Sequence, residues 1–420
     1  MRVIIWVIIT VDLLKITLGR KGFGPTDQEW GYVDVRKNCH MFWWLHYTTA
    51  NVSKVTDRPL VVWLQGGPCA SSTGEGNFDE IGPLDRDLKE RKTSWVKDVN
   101  LLFVDNPVGS GFSYVNCGLH ECPYATSNKQ IAIDFLIMME QFYKKFPQFQ
   151  DVPLYILGEA YGGKMVTDIA LVLHQKKAAG KIRCNLQGIG LGNPWISPED
   201  SILSWSTYLN NLGTLDTEGV SVVDGIVDKF KQVFRKGIYR TALDYWYEAL
   251  EEIELWTCSI DFFNVLVKVR SIAEPTRRNL DSLMNGEVRT ALNISFLWGP
   301  QSYPCLRALA NDYVRPVVDV LEELLNSTHI KVSVYSGQLD LRANIVGLEH
   351  WVEKMNWKNK GSWKAVDRIP FAVDGYYEGY VKKSGNFALY WVNRAGQRVP
   401  SENSGAMGYI LKELTNNYMV

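Results

Sequence analysis

The chain has 420 residues, 46% of them apolar, and a formal charge of −1. That apolar content is enough for a sizeable core and excludes a disordered chain. The near-zero charge leaves no basic field for nucleic acid or an anionic membrane, so neither is an expected partner.

The N-terminus carries the pattern of a secretory signal over residues 1–19. Arg2 supplies the positive start, residues 3–11 (VIIWVIITV) the apolar stretch, and Thr17 and Gly19 the small residues before cleavage. The apolar run is too short to span a bilayer, and no later run is longer. Seven cysteines (39, 69, 117, 122, 184, 258 and 305) suit an oxidising compartment. Their odd number leaves at least one without an intramolecular partner, and the spacing of Cys117 and Cys122 allows them to close a short loop. No Cys/His spacing suggests zinc, and no metal or cofactor is expected. Asn51, Asn293 and Asn326 head sequons and are candidate glycosylation sites.

Residues 31–47 alternate and are rich in aromatics, as antiparallel strands are. Uniformly apolar runs follow at 60–64, 101–105, 154–158, 188–192, 332–337 and 387–393. Such runs suit strands of a sheet covered on both faces. Residues 129–146 and 165–177 have helical periodicity and separate some of them, so the expected class is α/β with a mostly parallel sheet. Residues 201–290 break the rhythm. They read as a helical cap inserted between a first core segment, 20–200, and a second, 291–420.

In open α/β sheets the informative residues follow the strands. Residues 153–165 (PLYILGEAYGGKM) have the form of a nucleophile elbow, a strand, tight turn and helix that present a reactive serine in G-x-S-x-G. Gly158 and Gly162 frame the turn, but the residue between them is Ala160. After 60–64 come Gly66 and Gly67, where an exposed amide can hold an oxyanion, although a plain glycine turn is the commoner use. Asp340 follows the strand at 332–337, and Gln397 lies in the turn after 387–393. Hydrolases of this type use Ser, Asp and His in chain order, and imidazole is needed to relay the proton. Glutamine has no base near neutral pH. His350 alone follows Asp340, and it falls in a helical pattern.

Together these segments resemble the serine carboxypeptidases (peptidase S10 type), most closely their retinoid-inducible branch. The resemblance runs from about residue 28 to the C-terminus and rests on ordered motifs. These include VRKNCHMFWWLHY, WLQGGP, SSTGEGNFDEIGPLD, LLFVDNPVGSGFSYVN, VYSGQLDL and AGQRVPS. It implies an α/β-hydrolase fold with a helical insertion, a secreted or lysosomal location, and removal of C-terminal residues from peptides. It places the nucleophile at Ala160, the acid at Asp340 and the histidine at Gln397, so two of three positions depart from the family. The oxyanion amides fall on Gly67 and Tyr161. The residues that grip a substrate's C-terminal carboxylate fall on Trp63, Gln65, Glu80 and Glu159. Gln65 departs from the usual asparagine but keeps the amide, and Cys69, Ala70 and Glu75 also depart from the usual pattern.

Removing the nucleophile of a serine hydrolase costs about 10⁶ in turnover, and losing a second triad member adds little. The expectation is therefore a secreted, inactive carboxypeptidase-like protein that still binds peptide or protein C-termini. The alternatives are an active carboxypeptidase using Ser71, Ser72, Ser110 or Ser113, and a structural glycoprotein whose pocket is a remnant of the fold.

Overall fold

The computed structural model describes residues 20–117, 122–267 and 278–415, so the expected signal segment lies outside the described residues. Twelve strands follow in chain order. They are β1 (Arg20–Lys21), β2 (Asp27–Arg36), β3 (Cys39–His46), β4 (Leu60–Leu64), β5 (Asn100–Val104) and β6 (Tyr114–Val115), then β7 (Pro153–Glu159), β8 (Asn185–Gly192), β9 (Lys331–Gly337), β10 (Ile369–Val373), β11 (Tyr376–Ser384) and β12 (Phe387–Val392). They form one sheet in the order β1-β2-β3-β5-β4-β7-β8-β9-β12-β11-β10, with β6 paired to β3. The centre, from β5 through β4, β7, β8 and β9 to β12, is parallel. Both edges are antiparallel. This is the sheet of the α/β-hydrolase fold.

The six apolar runs read from the sequence supply those parallel strands, and their burial explains why they are apolar throughout. Side chains alternate between faces along a strand. Leu60, Val62 and Leu64 of β4 enter one core with Leu154 and Ile156 of β7. Val61, Trp63, Tyr155 and Leu157 enter the core on the opposite face. The first core is closed by helices α1 (Asn128–Lys145) and α2 (Tyr161–Ala178), the second by the helix Ser404–Leu414.

Between β8 and β9 the described residues form helices and loops only. The longest are Thr217–Phe234 and Tyr239–Trp256, which pack side by side. Two features differ from the sequence reading. The stretch Ser72–Ile81, for which no helix is expected from the sequence, is a π-type helix. Gly74 and Gly76 lower its helical propensity, but both are required by packing. A Cβ on Gly76 would lie 2.5 Å from the Trp63 ring, and one on Gly74 would lie 2.2 Å from Trp298. The second is the β10–β11 hairpin, which extends the sheet beyond β12.

Disulfides join Cys117 to Cys122 and Cys69 to Cys305, while Cys39, Cys184 and Cys258 are free. The Cys69–Cys305 bond fixes the loop after β4 to the helix Tyr303–Ala308. No helix among the described residues is long and apolar enough to cross a membrane. Asn51, Asn293 and Asn326 are all exposed.

Candidate active site

The turn between β7 and α2 has the geometry of the elbow. Ala160 holds φ 51° and ψ −120°, a conformation that costs an L-residue about 1–3 kcal/mol and persists only where its surroundings impose it. Here the surroundings are specific. The Ala160 amide donates to the Gly192 carbonyl at 2.9 Å, and its carbonyl accepts from Gly163 and Trp195 at 3.1 and 2.9 Å. The turn also lies hard against β4. A Cβ on Gly162 would come within 2.3 Å of the Leu64 carbonyl oxygen, so this position tolerates only glycine.

A cavity of about 250 Å³ opens at this turn, at the carboxyl ends of the parallel strands. Ala160, Gly67, Tyr161, Gln65, Glu159 and Gln397, six of the residues expected at the site, line it. Asp340, Trp63 and Glu80 lie buried behind its wall. Ser71, Ser72, Ser110 and Ser113 are also buried and do not line it. Each of their hydroxyls is engaged. Ser71 donates to Asp105 at 2.9 Å, Ser72 accepts from the Gln65 backbone N–H at 2.9 Å, and Ser110 and Ser113 donate to the carbonyls of Pro107 and Asp105, both at 2.6 Å.

At the elbow end Asp340 is hydrogen-bonded to amides. Asp340 accepts from Asn193 Nδ2 at 2.9 Å and from the Arg342 and Ala343 amides at 3.0 and 3.3 Å. Burial pushes its carboxyl up to about 7, against the lowering effect of those donors and of the Arg342 charge. Among the described residues no hydrogen bond joins Asp340 to Gln397. Gln397 is buried, and its backbone amide donates to the Phe263 carbonyl at 2.7 Å. Residues beside Phe263 grip the Asp340 turn as well, through Leu341 to Phe262 at 3.1 Å and Val265 to Leu339 at 2.9 Å. The segment thus bridges the turns that carry Asp340 and Gln397, with Phe263 on the cavity wall.

The other end is tightly connected. Trp63 Nε1 donates to Gln65 Oε1 at 2.8 Å, which fixes the amide orientation. Gln65 Nε2 then donates to Glu159 Oε1 at 2.6 Å and Glu80 Oε1 at 3.1 Å. The remaining oxygens, Glu80 Oε2 and Glu159 Oε2, are buried without a hydrogen-bond partner. Burial raises Glu80 to about 7, opposed by Arg398 and the Gln65 amide. Burial and then the Glu80 charge raise Glu159 well above the ordinary range. Two carboxyls so placed do not both ionise in mild acid, and a hydrogen bond between Glu80 and Glu159 engages a proton held by the pair. Glu75, on the Ser72–Ile81 helix, is also raised by burial and pairs with Arg398 at 3.1 Å. Burial opposes the Arg398 charge, but Glu80, Glu159, Glu75 and Asp79 together hold it firmly protonated.

Arg342 and Arg398 escaped the sequence reading, as did the wall residues Trp195, Phe263 and Tyr313. Both arginines stand next to or near singled-out positions, two after Asp340 and one after Gln397, and that adjacency was the available signal. Among the described residues no cluster of His, Cys, Asp or Glu has the arrangement of a metal site.

The Peptidase S10 profile, serine carboxypeptidase, matches residues 20–417. The human retinoid-inducible serine carboxypeptidase is 39% identical over 430 aligned positions, covering 94% of each chain. Serine carboxypeptidase-like 51 of Arabidopsis thaliana is 32% identical over 99% of this chain and 98% of its own. In structure the chain is similar to Kex1(delta)p, a prohormone-processing carboxypeptidase from Saccharomyces cerevisiae. The TM-score is 0.80 at 20% identity, with 93% of this chain and 92% of that one covered. That likeness carries the fold, and the profile and sequence relatives carry the kinship: this chain belongs to the serine carboxypeptidase family.

Proposed function

We propose that this chain is a carboxypeptidase-like protein that binds peptide C-termini without cleaving them by serine chemistry. One observation carries the reading: a single cavity joins an alanine at the apex of the elbow and a glutamine at the histidine position to an intact Trp63–Gln65–Glu80–Glu159 network. In mild acid a protonated carboxyl of the glutamate pair is a donor suited to a terminal carboxylate, and the Gln65 amide, with both its Nε2 hydrogens given to Glu159 and Glu80, holds that pair in place. Gly67 and Tyr161 keep the positions of an oxyanion hole, but no nucleophile stands beside them. The four burial-locked serines speak against an active enzyme of unrecognised chemistry. The signal pattern over 1–19, the two disulfides and the exposed sequon asparagines support secretion or residence in the lumen of the secretory or lysosomal pathway, with glycosylation at Asn51, Asn293 and Asn326.

The test is a peptide-release assay on wild type, on Ala160→Ser, on Gln397→His and on the double variant. The expected result is release by the double variant alone. Release by wild type would overturn the reading.

A further inference from the structure

The charged residues lining the cavity are Glu75, Glu159, Arg342 and Arg398. Three of them are accounted for within the protein. Arg398 pairs with Glu75, and Glu159 shares the Gln65 amide and the proton balance with Glu80. Arg342 is different. Among the described residues its guanidinium has no carboxylate within ion-pair distance and donates no hydrogen bond. Its Nε is buried without a partner.

The guanidinium is held by rings instead of by charge. It lies over Phe263 at 4.8 Å and over Trp246 at 5.3 Å from the ring centroids. Contact through its face leaves the in-plane N–H groups available, and that is the geometry in which arginine receives a carboxylate by two parallel hydrogen bonds. The charge reaches Asp340, but the hydrogen bond from Arg342 to that carboxyl comes from its backbone amide and not from its side chain.

We propose that Arg342 is a binding residue for a second acidic group on the ligand. The cavity then selects peptides with an aspartate or glutamate side chain within their last two residues. The glutamate pair takes the terminal carboxylate, and Arg342 takes the acidic side chain. This rests on the reading that the cavity holds a peptide C-terminus.

The experiment uses isothermal titration at about pH 5.5, where a peptide glutamate is largely ionised. The probes are free-acid hexapeptides that differ only by Glu or Gln at the last or the next-to-last position. Wild type should bind one of the Glu peptides about tenfold tighter than its Gln partner, a preference of the size a charge-assisted pair supplies. Arg342→Gln should bring the ratio of Glu to Gln peptide affinities to about one, and Arg342→Lys should keep part of the preference. Equal affinity of wild type for Glu and Gln peptides at both positions would overturn the role of Arg342 and leave C-terminus binding standing. A preference that survives in Arg342→Gln would also overturn it. Failure of wild type to bind any free-acid peptide would overturn both readings.

Discussion

The two ends of the cavity have been treated differently by the sequence. At the elbow end, Ala160 keeps a strained backbone that presents a side chain with nothing to donate, and Asp340 is left with amide donors only. At the recognition end, four side chains from three segments remain in one hydrogen-bonded network. They are Trp63 and Gln65 around the end of β4, Glu80 of the Ser72–Ile81 helix, and Glu159 of β7. The backbone turn alone does not explain that difference. Fold stability requires Gly158, Gly162 and the close β4–β7 contact, but it does not require two carboxyls buried around one amide. Burying them carries a desolvation cost. A feature that costs stability yet keeps its hydrogen bonds supports the proposed binding role.

The largest effect on this contrast should come from Gln65→Leu. It removes the amide donor to both Glu80 and Glu159 and the acceptor of Trp63 Nε1. Unfolding in urea should show a loss of about 3 kcal/mol, since buried polar partners left unsatisfied cost roughly 1–3 kcal/mol each. Free-acid peptide affinity should be lost with it. A variant as stable as wild type would show that the network is not coupled as described.

The next effect is on pH. In the proposed binding mode the ligand meets a protonated carboxyl of the glutamate pair, and burial raises Glu80 to about 7 and Glu159 well above the ordinary range. Affinity for a free-acid peptide should hold in mild acid and fall as pH rises through that range, by about tenfold per pH unit once the group ionises. Affinity that rises with pH would place the glutamates outside the binding step.

A smaller effect is expected on stability. Asp340 titrates near 7 when folded, against about 3.9 for an unfolded aspartate. Between these values the folded state holds the proton and the unfolded state does not, so stability falls as pH rises through that window. Glu80 and Glu159 act in the same direction. Asp340→Asn should make the decline in unfolding free energy from mild acid to neutrality shallower. An unchanged slope would mean that Asp340 is ionised throughout.

Smallest of all is Ala160→Ser alone. The hydroxyl adds no base, so peptide release should stay at background and stability should change by less than about 1 kcal/mol. Release by this single variant would show that a base is present after all.

Much of this architecture was legible because its signals are local. The parallel strands are mostly apolar since both faces are covered, and the elbow announces itself through Gly158 and Gly162. The short spacing of Cys117 and Cys122 suggested their bond, whereas Cys69 and Cys305 lie 236 residues apart and only the fold joins them. The same holds for Glu75 and Arg398, a pair made across the cavity by elements distant in sequence. The β10–β11 hairpin gave no clear pattern because it is an edge element, with Ile369, Tyr376 and Tyr377 exposed. The Ser72–Ile81 helix was hidden by glycines whose reason is the Trp63 and Trp298 rings packed against them.

The most direct test of the central claim is to titrate wild type with one peptide in free-acid and C-terminally amidated forms in mild acid, then recover the ligand and weigh it. The free acid should bind at least about tenfold tighter, as loss of a charge-assisted carboxylate contact requires, and should be recovered intact. Equal affinity for the two forms, or recovery of a peptide shortened at its C-terminus, would contradict it.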